Sequence, residues 1–472
     1  MNSIGNGERH VAPYGIQREM LMFAQRDGEG QPLSHNYLNA FDIYRVTGPL
    51  DIARLTRAAE RTVGVMDVLG GRFRSEHGVD RFVLEPGAQR LRISHLTVVG
   101  TDDLLSSGTW EAMRRIAHSS RDLRHDAPAH LVITALGPEE HLLMPVLDHS
   151  YADARTLGLF LRHLAHFYQR PEVSDEELEA VREETSFFAF AENLAERGAE
   201  RAASRRYWSE ALASAADKRL LPQFPGGRWK ARGTRQFTAE ASEIWPSELI
   251  LALTDLAKTR RTRLHMVMLA LVNLAVSAWG VGFVPINYMR NGRHEATSVG
   301  VAGIFAEHVV TVSPQQDSES AGLGDYLAAF AAENSATPQY HGLSLREIET
   351  APSEENRLVL FNFLPPERRI KLGPGTTAAP DQEAFAALEE YDHSNRFGAR
   401  VWMIANTDYR LKVVAHSDAD VLPEPTALVA SLHALAEAAI KEQNMPVADA
   451  KSLARAAWRE AQRKFRTDGD VR

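Results

Sequence analysis

Apolar residues three and four apart recur from Ile16 to Gln25 (IQREMLMFAQ), which predicts an amphipathic helix. Leu50 to Val63 (LDIARLTRAAERTV) predicts a second one; Gly48-Pro49 ahead of it is turn chemistry, and Asp51 brings negative charge to its N-terminus. Short strands are expected at Val68 to Arg74, Arg81 to Leu84 and Leu91 to Val99. A helix near Thr109 to His118 precedes His130 to Leu136, which alternates as a strand does. His141 to Leu147 (HLLMPVL) is apolar without a break, the pattern of a central strand buried on both faces. It runs into the turn Asp148-His149-Ser150-Tyr151-Ala152-Asp153. A helix from Arg155 to Tyr168 follows, with Leu157, Leu161 and Leu164 on one face.

Pro171 to Ala213 is charged and helical, and it reads as a connector between two parts. Beyond it the mixture returns: a helix at Leu264 to Trp279, and strands at Gly282 to Tyr288, Val301 to Val312, Leu358 to Phe363, Arg400 to Asn406 and Leu411 to His416. Helices from Thr426 to Lys441 and from Asp449 to Phe465 close the chain, and Pro365 to Pro380, with Gly373-Pro374-Gly375, reads as a loop. The expectation is an α/β protein of two similar lobes, residues 1–178 and 179–472, meeting near residues 175 to 185.

At 472 residues the chain exceeds one ordinary core, and 44% hydrophobic with 24% charged residues is a globular mix. A net charge of -9 supplies no global field for nucleic acid or an anionic membrane. Cysteine is absent, which removes disulfides, thiolate metal sites and cysteine nucleophiles together. The stretch Leu264 to Ile286 is interrupted by Asn273, Ser277 and Gly280, so a buried helix followed by a strand is expected there rather than a membrane span. Met1 to His10 lacks the order of a signal peptide, and a cytoplasmic location is expected.

The turn after the buried strand offers the clearest chemistry. His149 and Asp153 stand four apart, delivered by a strand end to a rim where a ligand could reach. Spacing alone is weak, because His118/Asp122 and His416/Asp420 repeat it without the strand–turn–helix setting. On the residues alone, a satisfied structural histidine competes with a catalytic one. His163 and His166 lack an HExxH pattern, Gly373-Pro374-Gly375 lacks the Lys-Ser/Thr of a phosphate loop, and KTRRTR (Lys258 to Arg263) reads as a solvated face or a surface for an acidic carrier protein. No metal and no tightly bound cofactor is expected.

The run LLMPVLDHSYADARTLGLFLRHLAHFY resembles the HHxxxDG region of condensation domains from non-ribosomal peptide synthetases. YLNAFDIYRVTGPLDIARLTRAAERTV is similar to that family's opening strand, turn and first helix, and RRYWSEALA to its Tyr-Trp connector. VPINYMRNGR, VGVAGIFAEHVVTV and LVLFNFLP resemble the strand–Arg, Gly-x-Phe and Phe-Asn regions of its second lobe. The resemblance implies two chloramphenicol-acetyltransferase-like lobes arranged as a V around a central tunnel. It implies transfer of an acyl or aminoacyl group from a carrier-protein thioester, on phosphopantetheine, to an amine or alcohol nucleophile, itself small or carrier-bound. Because no carrier or adenylation segment is recognised, the carrier is expected in trans, in secondary-metabolite biosynthesis. Use of coenzyme A thioesters, or a non-catalytic docking role, are the alternatives.

By that resemblance His149 matches the catalytic histidine and Asp153 the structural aspartate, with Arg290 expected as its partner and Arg293 as the second choice. Ser150 and Tyr151 would support the turn. Two residues depart from the motif, giving DHxxxDA: Asp148 replaces the first histidine and Ala154 the final glycine. Asp148 is expected to face away from His149, as neighbours on a strand do. Ala154 requires that the turn be reachable with negative φ. Val65-Met66-Asp67 departs as well, standing where the family commonly has Arg-His-Glu.

Overall fold

The computed structural model describes residues 8–23, 39–85, 90–98, 104, 107–215, 224–225, 235–236, 238–280, 282–293, 298–314, 320–348, 359–365, 368–388, 394–395, 399–406, 408–418 and 420–469. Of the expected elements, Val99, Leu358, the last residues of the first helix and most of Met1 to His10 lie outside these.

Two large sheets organise the chain. The first has seven strands, in the order Ile370–Gly373, Thr376–Pro380, Tyr44–Thr47, Glu140–Asp148, Ala129–Gly137 and Leu91–Thr97, with Asn39–Phe41 pairing to the end of Glu140–Asp148. The second has six: Ala239–Trp245, Leu411–Ser417, Ala399–Ala405, Val359–Leu364, Asn287–Asn291 and Ala306–Val310. A small sheet of Arg9–Val11, Val79–Leu84 and Gly71–Glu76 lies with the first part.

Each large sheet carries its own apolar core. Helices Ile52–Val65 and Ala154–Gln169 bury one side of the first sheet, with Leu55, Val63, Leu157, Phe160 and Leu164 in the core. Asp51 caps the earlier of these helices, its side chain accepting from Arg54 N–H. In the second core, Leu264–Ser277 is buried from Met266 to Ser277 on every face, which explains a pattern apolar all round. No helix among the described residues is long and apolar enough to cross a membrane.

Four expectations are corrected. Pro365 to Pro380 is no simple loop: Ile370–Gly373 and Thr376–Pro380 form a hairpin that joins the first sheet against Tyr44–Thr47. The hairpin brings Gly375 so close to Gly48 that a Cβ there would stand 2.0 Å from Gly375 O. With the helix Gln382–Leu388, this return crosses the division expected at 178/179. Second, strand structure begins only at Asn287: Val284 bonds to the side chains of Ser277 and Asn273, and Ile286 N–H donates to the Thr311 hydroxyl while its carbonyl accepts from Thr311 N–H, so a regular ladder starts one residue later. Third, the strand expected from Val301 is confined to Ala306–Val310, since Val301 and Gly303 spend their carbonyls on side chains of the candidate site. Fourth, Val68 to Leu69 form a short helix, Asp67–Gly70, before Gly71–Glu76. The connector is helical, as Asp175–Thr185, Phe187–Ala195 and Gly198–Ala215.

Candidate functional site

The strand Glu140–Asp148 is buried from His141 to its end, and the chain then turns sharply out of the sheet. Asp148 closes that turn: its carbonyl accepts from Tyr151 N–H (2.9 Å) and Ala152 N–H (3.2 Å), and its Oδ1 accepts from Ser150 N–H (2.9 Å). The Ser150 carbonyl accepts from Nε2 of Gln17, a fully buried residue of the helix Gly15–Phe23 (3.0 Å). The Tyr151 hydroxyl, also buried, donates to Leu123 O (3.0 Å).

Asp153 ends the turn and starts the next helix. Its Oδ1 accepts from Thr156 N–H (2.9 Å), satisfying a free donor of the first turn. Its Oδ2 accepts from Arg293 Nη1 (2.5 Å) and Phe305 N–H (3.0 Å), both from the second half of the chain. Thr156 Oγ1 donates to Gly303 O (2.5 Å) and accepts from Gly303 N–H (2.8 Å) and Arg293 Nη2 (2.9 Å). Arg293 also donates to Gly303 O and Val301 O, and its guanidinium lies 4.3 Å from the Phe305 ring centroid. Burial alone would push the Asp153 carboxyl upward, but the adjacent guanidinium and the amide donors outweigh it and hold the group below the usual carboxylate range. The turn is thereby clamped to the segment 301–305.

The expected partner Arg290 is corrected to Arg293. Arg290 lies in the strand Asn287–Asn291 directly opposite Glu307, and that register decides its pairing. Its Nε and Nη2 donate to Glu307 Oε2 (2.9 and 2.7 Å), and the rest of the guanidinium binds Thr337 and Pro338. Arg293 follows Gly292, where a Cβ would meet Phe305 O at 2.1 Å, and beyond that close approach it turns to Asp153.

His149 is half-buried, with Nδ1 2.6 Å from Ala152 O. A carbonyl only accepts, so Nδ1 carries the hydrogen. In the neutral ring Nε2 therefore holds the lone pair, and it has no partner among the described residues. The Asp148 carboxylate is fully buried and directed to Ser150 N–H rather than to the ring. Ala154 is exposed at the first helical position; no residue from 148 to 156 has positive φ, so alanine meets no backbone strain there.

The rival histidines are held elsewhere. His118 Nε2 lies 2.7 Å from Leu388 O, and buried His416 stands 3.5 Å from Glu240 Oε2. His166 bonds Glu177 (3.1 Å), and burial, with Arg162 and His166 nearby, pushes His163 down to about 4. Among the described residues no three His, Asp or Glu side chains converge on a metal position. Lys258 pairs with Asp255 and Arg260 with Asp325, as a solvated face would. Sequence reasoning missed Gln17 and Thr156. Gln17 is followed by Arg18 and Glu19, so nothing local sets it apart from the polar face of its helix.

Comparison with known proteins adds the following. The family model described as "Condensation domain" matches residues 8–363. No curated protein matches the chain by sequence. Among solved structures it is similar to the SgcC5 protein from Streptomyces globisporus, with 17% identity over 92% of this chain and 100% of that one, and a TM-score of 0.69. A mutant starter condensation domain of rhizomide synthetase RzmA, in complex with C8-CoA, has 13% identity over 93% and 97% of the two chains, with a TM-score of 0.70. The X-domain from teicoplanin biosynthesis has 14% identity over 95% and 98%, with a TM-score of 0.66. At these identities the likeness is one of fold, and it bears out the mixed α/β, chloramphenicol-acetyltransferase-like expectation.

Proposed function

The chain belongs to the condensation-domain family, and from that premise we propose that it is an acyltransferase, moving an acyl or aminoacyl group from a thioester to an amine or alcohol. The observation that carries this reading is the His149 ring, held by Ala152 O so that Nε2 presents its lone pair. An amine nitrogen attacks the thioester carbonyl carbon and the C–N bond forms. The surplus amine proton passes to Nε2, where the Nδ1–H···O bond stabilises the resulting imidazolium. The C–S bond then breaks, and the proton goes to the departing thiolate. An alcohol follows the same course to an ester. Asp153 and Arg293 hold the turn and touch no reacting atom.

The thioester in this reading rides on the phosphopantetheine arm of a carrier protein or on coenzyme A, and the nucleophile meets it in a tunnel between the two sheets. Asp148 and Ala154 favour a second reading, a docking module without turnover, because both depart from the family motif. One experiment separates the readings. Acyl-carrier and acyl-CoA donors are incubated with a panel of amines and alcohols, and the products are identified by mass spectrometry. An amide or ester formed faster than without protein supports the enzyme, and the preferred donor names the thioester class. No product from either donor, with tight binding to the loaded carrier, would overturn acyl transfer in favour of docking.

A further inference from the structure

We propose that Gln17 is a positioning residue for acyl transfer, holding from outside the loop that the His149 ring closes, an inference that rests on the acyl-transfer reading of this turn. Gln17 is 0% exposed and belongs to the helix Gly15–Phe23, 133 residues from the carbonyl it meets. Its Oε1 accepts from Tyr14 N–H (2.8 Å), a backbone donor that fixes which way the amide lies. The Nε2 end is thereby left to donate to Ser150 O (3.0 Å).

That contact falls inside a closed loop. The bond from His149 Nδ1 to Ala152 O (2.6 Å) joins the two ends of four residues, and the peptide between Ser150 and Tyr151 lies midway. Its N–H, from Tyr151, donates to Asp148 O (2.9 Å). Its carbonyl, from Ser150, is held by Gln17 alone among the described residues. Without the Gln17 donor a buried carbonyl is left unpaired, and the peptide plane turns to relieve that cost. Turning it changes ψ of Ser150 and φ of Tyr151, both inside the span of the ring bond, so Ala152 O moves relative to the imidazole. The Gln17 side chain thus sets the loop, and the loop sets the ring.

The helix itself does not depend on this bond. Gly15 N–H donates to Gly342 O (3.0 Å), and Arg18 pairs with Glu347 Oε1 (2.6 Å), whose other oxygen accepts from Ser344 N–H (2.8 Å). Loss of the Gln17 donor therefore frees the Ser150 carbonyl while the helix stays seated on the second half of the chain.

The test uses the full chain with Gln17→Leu, Gln17→Glu and, as a control for helix seating, Glu347→Gln. Gln17→Glu keeps an acceptor for Tyr14 N–H, but as a carboxylate it has no hydrogen to donate. Selective nitrogen-15 labelling of histidine, assigned with His149→Gln, reads the Nδ1–H tautomer of His149 at pH 8. In both Gln17 variants that signal should move from its wild-type position toward a mixture of tautomers. In Glu347→Gln it should stay while the melting temperature falls. With a donor and nucleophile that give product, kcat of both Gln17 variants should fall about tenfold with KM within twofold. Should Gln17→Leu not fold, Gln17→Glu carries the comparison. An unchanged His149 signal or an unchanged kcat in the folded Gln17 variants would overturn the inference. An equal shift in Glu347→Gln would overturn it too, by tracing the effect to helix seating. If the wild type turns over no donor, acyl transfer fails, while the His149 signal still decides whether Gln17 sets the ring.

Discussion

Replacing Asp153 by asparagine keeps a capping oxygen for Thr156 N–H and removes the charge that Arg293 was folded against. The two side chains are 10% and 2% exposed, so solvent cannot restore the balance. Removing one partner of a buried ion pair costs about 3–5 kcal/mol, because the other is left uncompensated. With an unfolding entropy of roughly 2 cal/mol/K per residue, 472 residues melting as one unit lose about 1 kcal/mol per degree. Asp153→Asn should therefore lower the melting temperature by roughly 3–5 °C. Arg293→Met should do much the same, and the double variant should recover about 1–3 kcal/mol of the summed loss. Combined with Arg290→Met, Asp153→Asn should be additive within about 0.5 kcal/mol, since Arg290 answers to Glu307. The assay is thermal and denaturant unfolding of the full cycle. Additivity with Arg293, or equal coupling to Arg290, would refute the pairing. The pH dependence has a fixed sign. Because the folded-state carboxyl is held low, its contribution is present above the unfolded carboxylate pKa and fades as pH falls through the folded value. Asp153→Asn should flatten that acid limb.

Two further outcomes follow from buried groups. Burial holds His163 down to about 4 when folded, against 6.5 for the free group, so between those values the unfolded chain binds the extra proton and stability drops as the pH is lowered. His163→Gln should remove about 1.4 kcal/mol per pH unit of that slope, read by denaturant melts from pH 7 to 4; an unchanged slope would show the ring is not buried neutral. Gly48 has φ +99 and its added Cβ would strike Gly375 O, so Gly48→Ala should lower the melting temperature and speed proteolysis between residues 368 and 380. Unaltered cleavage there would argue against the hairpin's docking on the first sheet.

Elements with a strong period were legible in the sequence. The apolar run HLLMPVL became the buried strand, and the spacing of Leu157, Leu161 and Leu164 became a helix packed on the first core. What failed depended on long-range bonding. Val301 and Gly303 read as strand because nothing local says that their carbonyls will serve Arg293. The choice between Arg290 and Arg293 turned on a register with Glu307, 17 residues away, that no local pattern reveals. The hairpin at Ile370–Gly373 and Thr376–Pro380 is short and flanks Gly373-Pro374-Gly375, so turn chemistry masked its strands. His149 was findable by motif and setting; Thr156, an ordinary helix residue in the sequence, showed its bonds to Arg293 and Gly303 only in three dimensions.

The central claim concerns one imidazole. With the donor and nucleophile that give product, kcat of His149→Ala should fall about 10²- to 10⁴-fold relative to wild type, the range for a lost acid–base group. Its melting temperature should stay within about a degree, because a half-buried ring bonded to a single carbonyl contributes little to packing. Product formation at the wild-type rate by His149→Ala would contradict the claim.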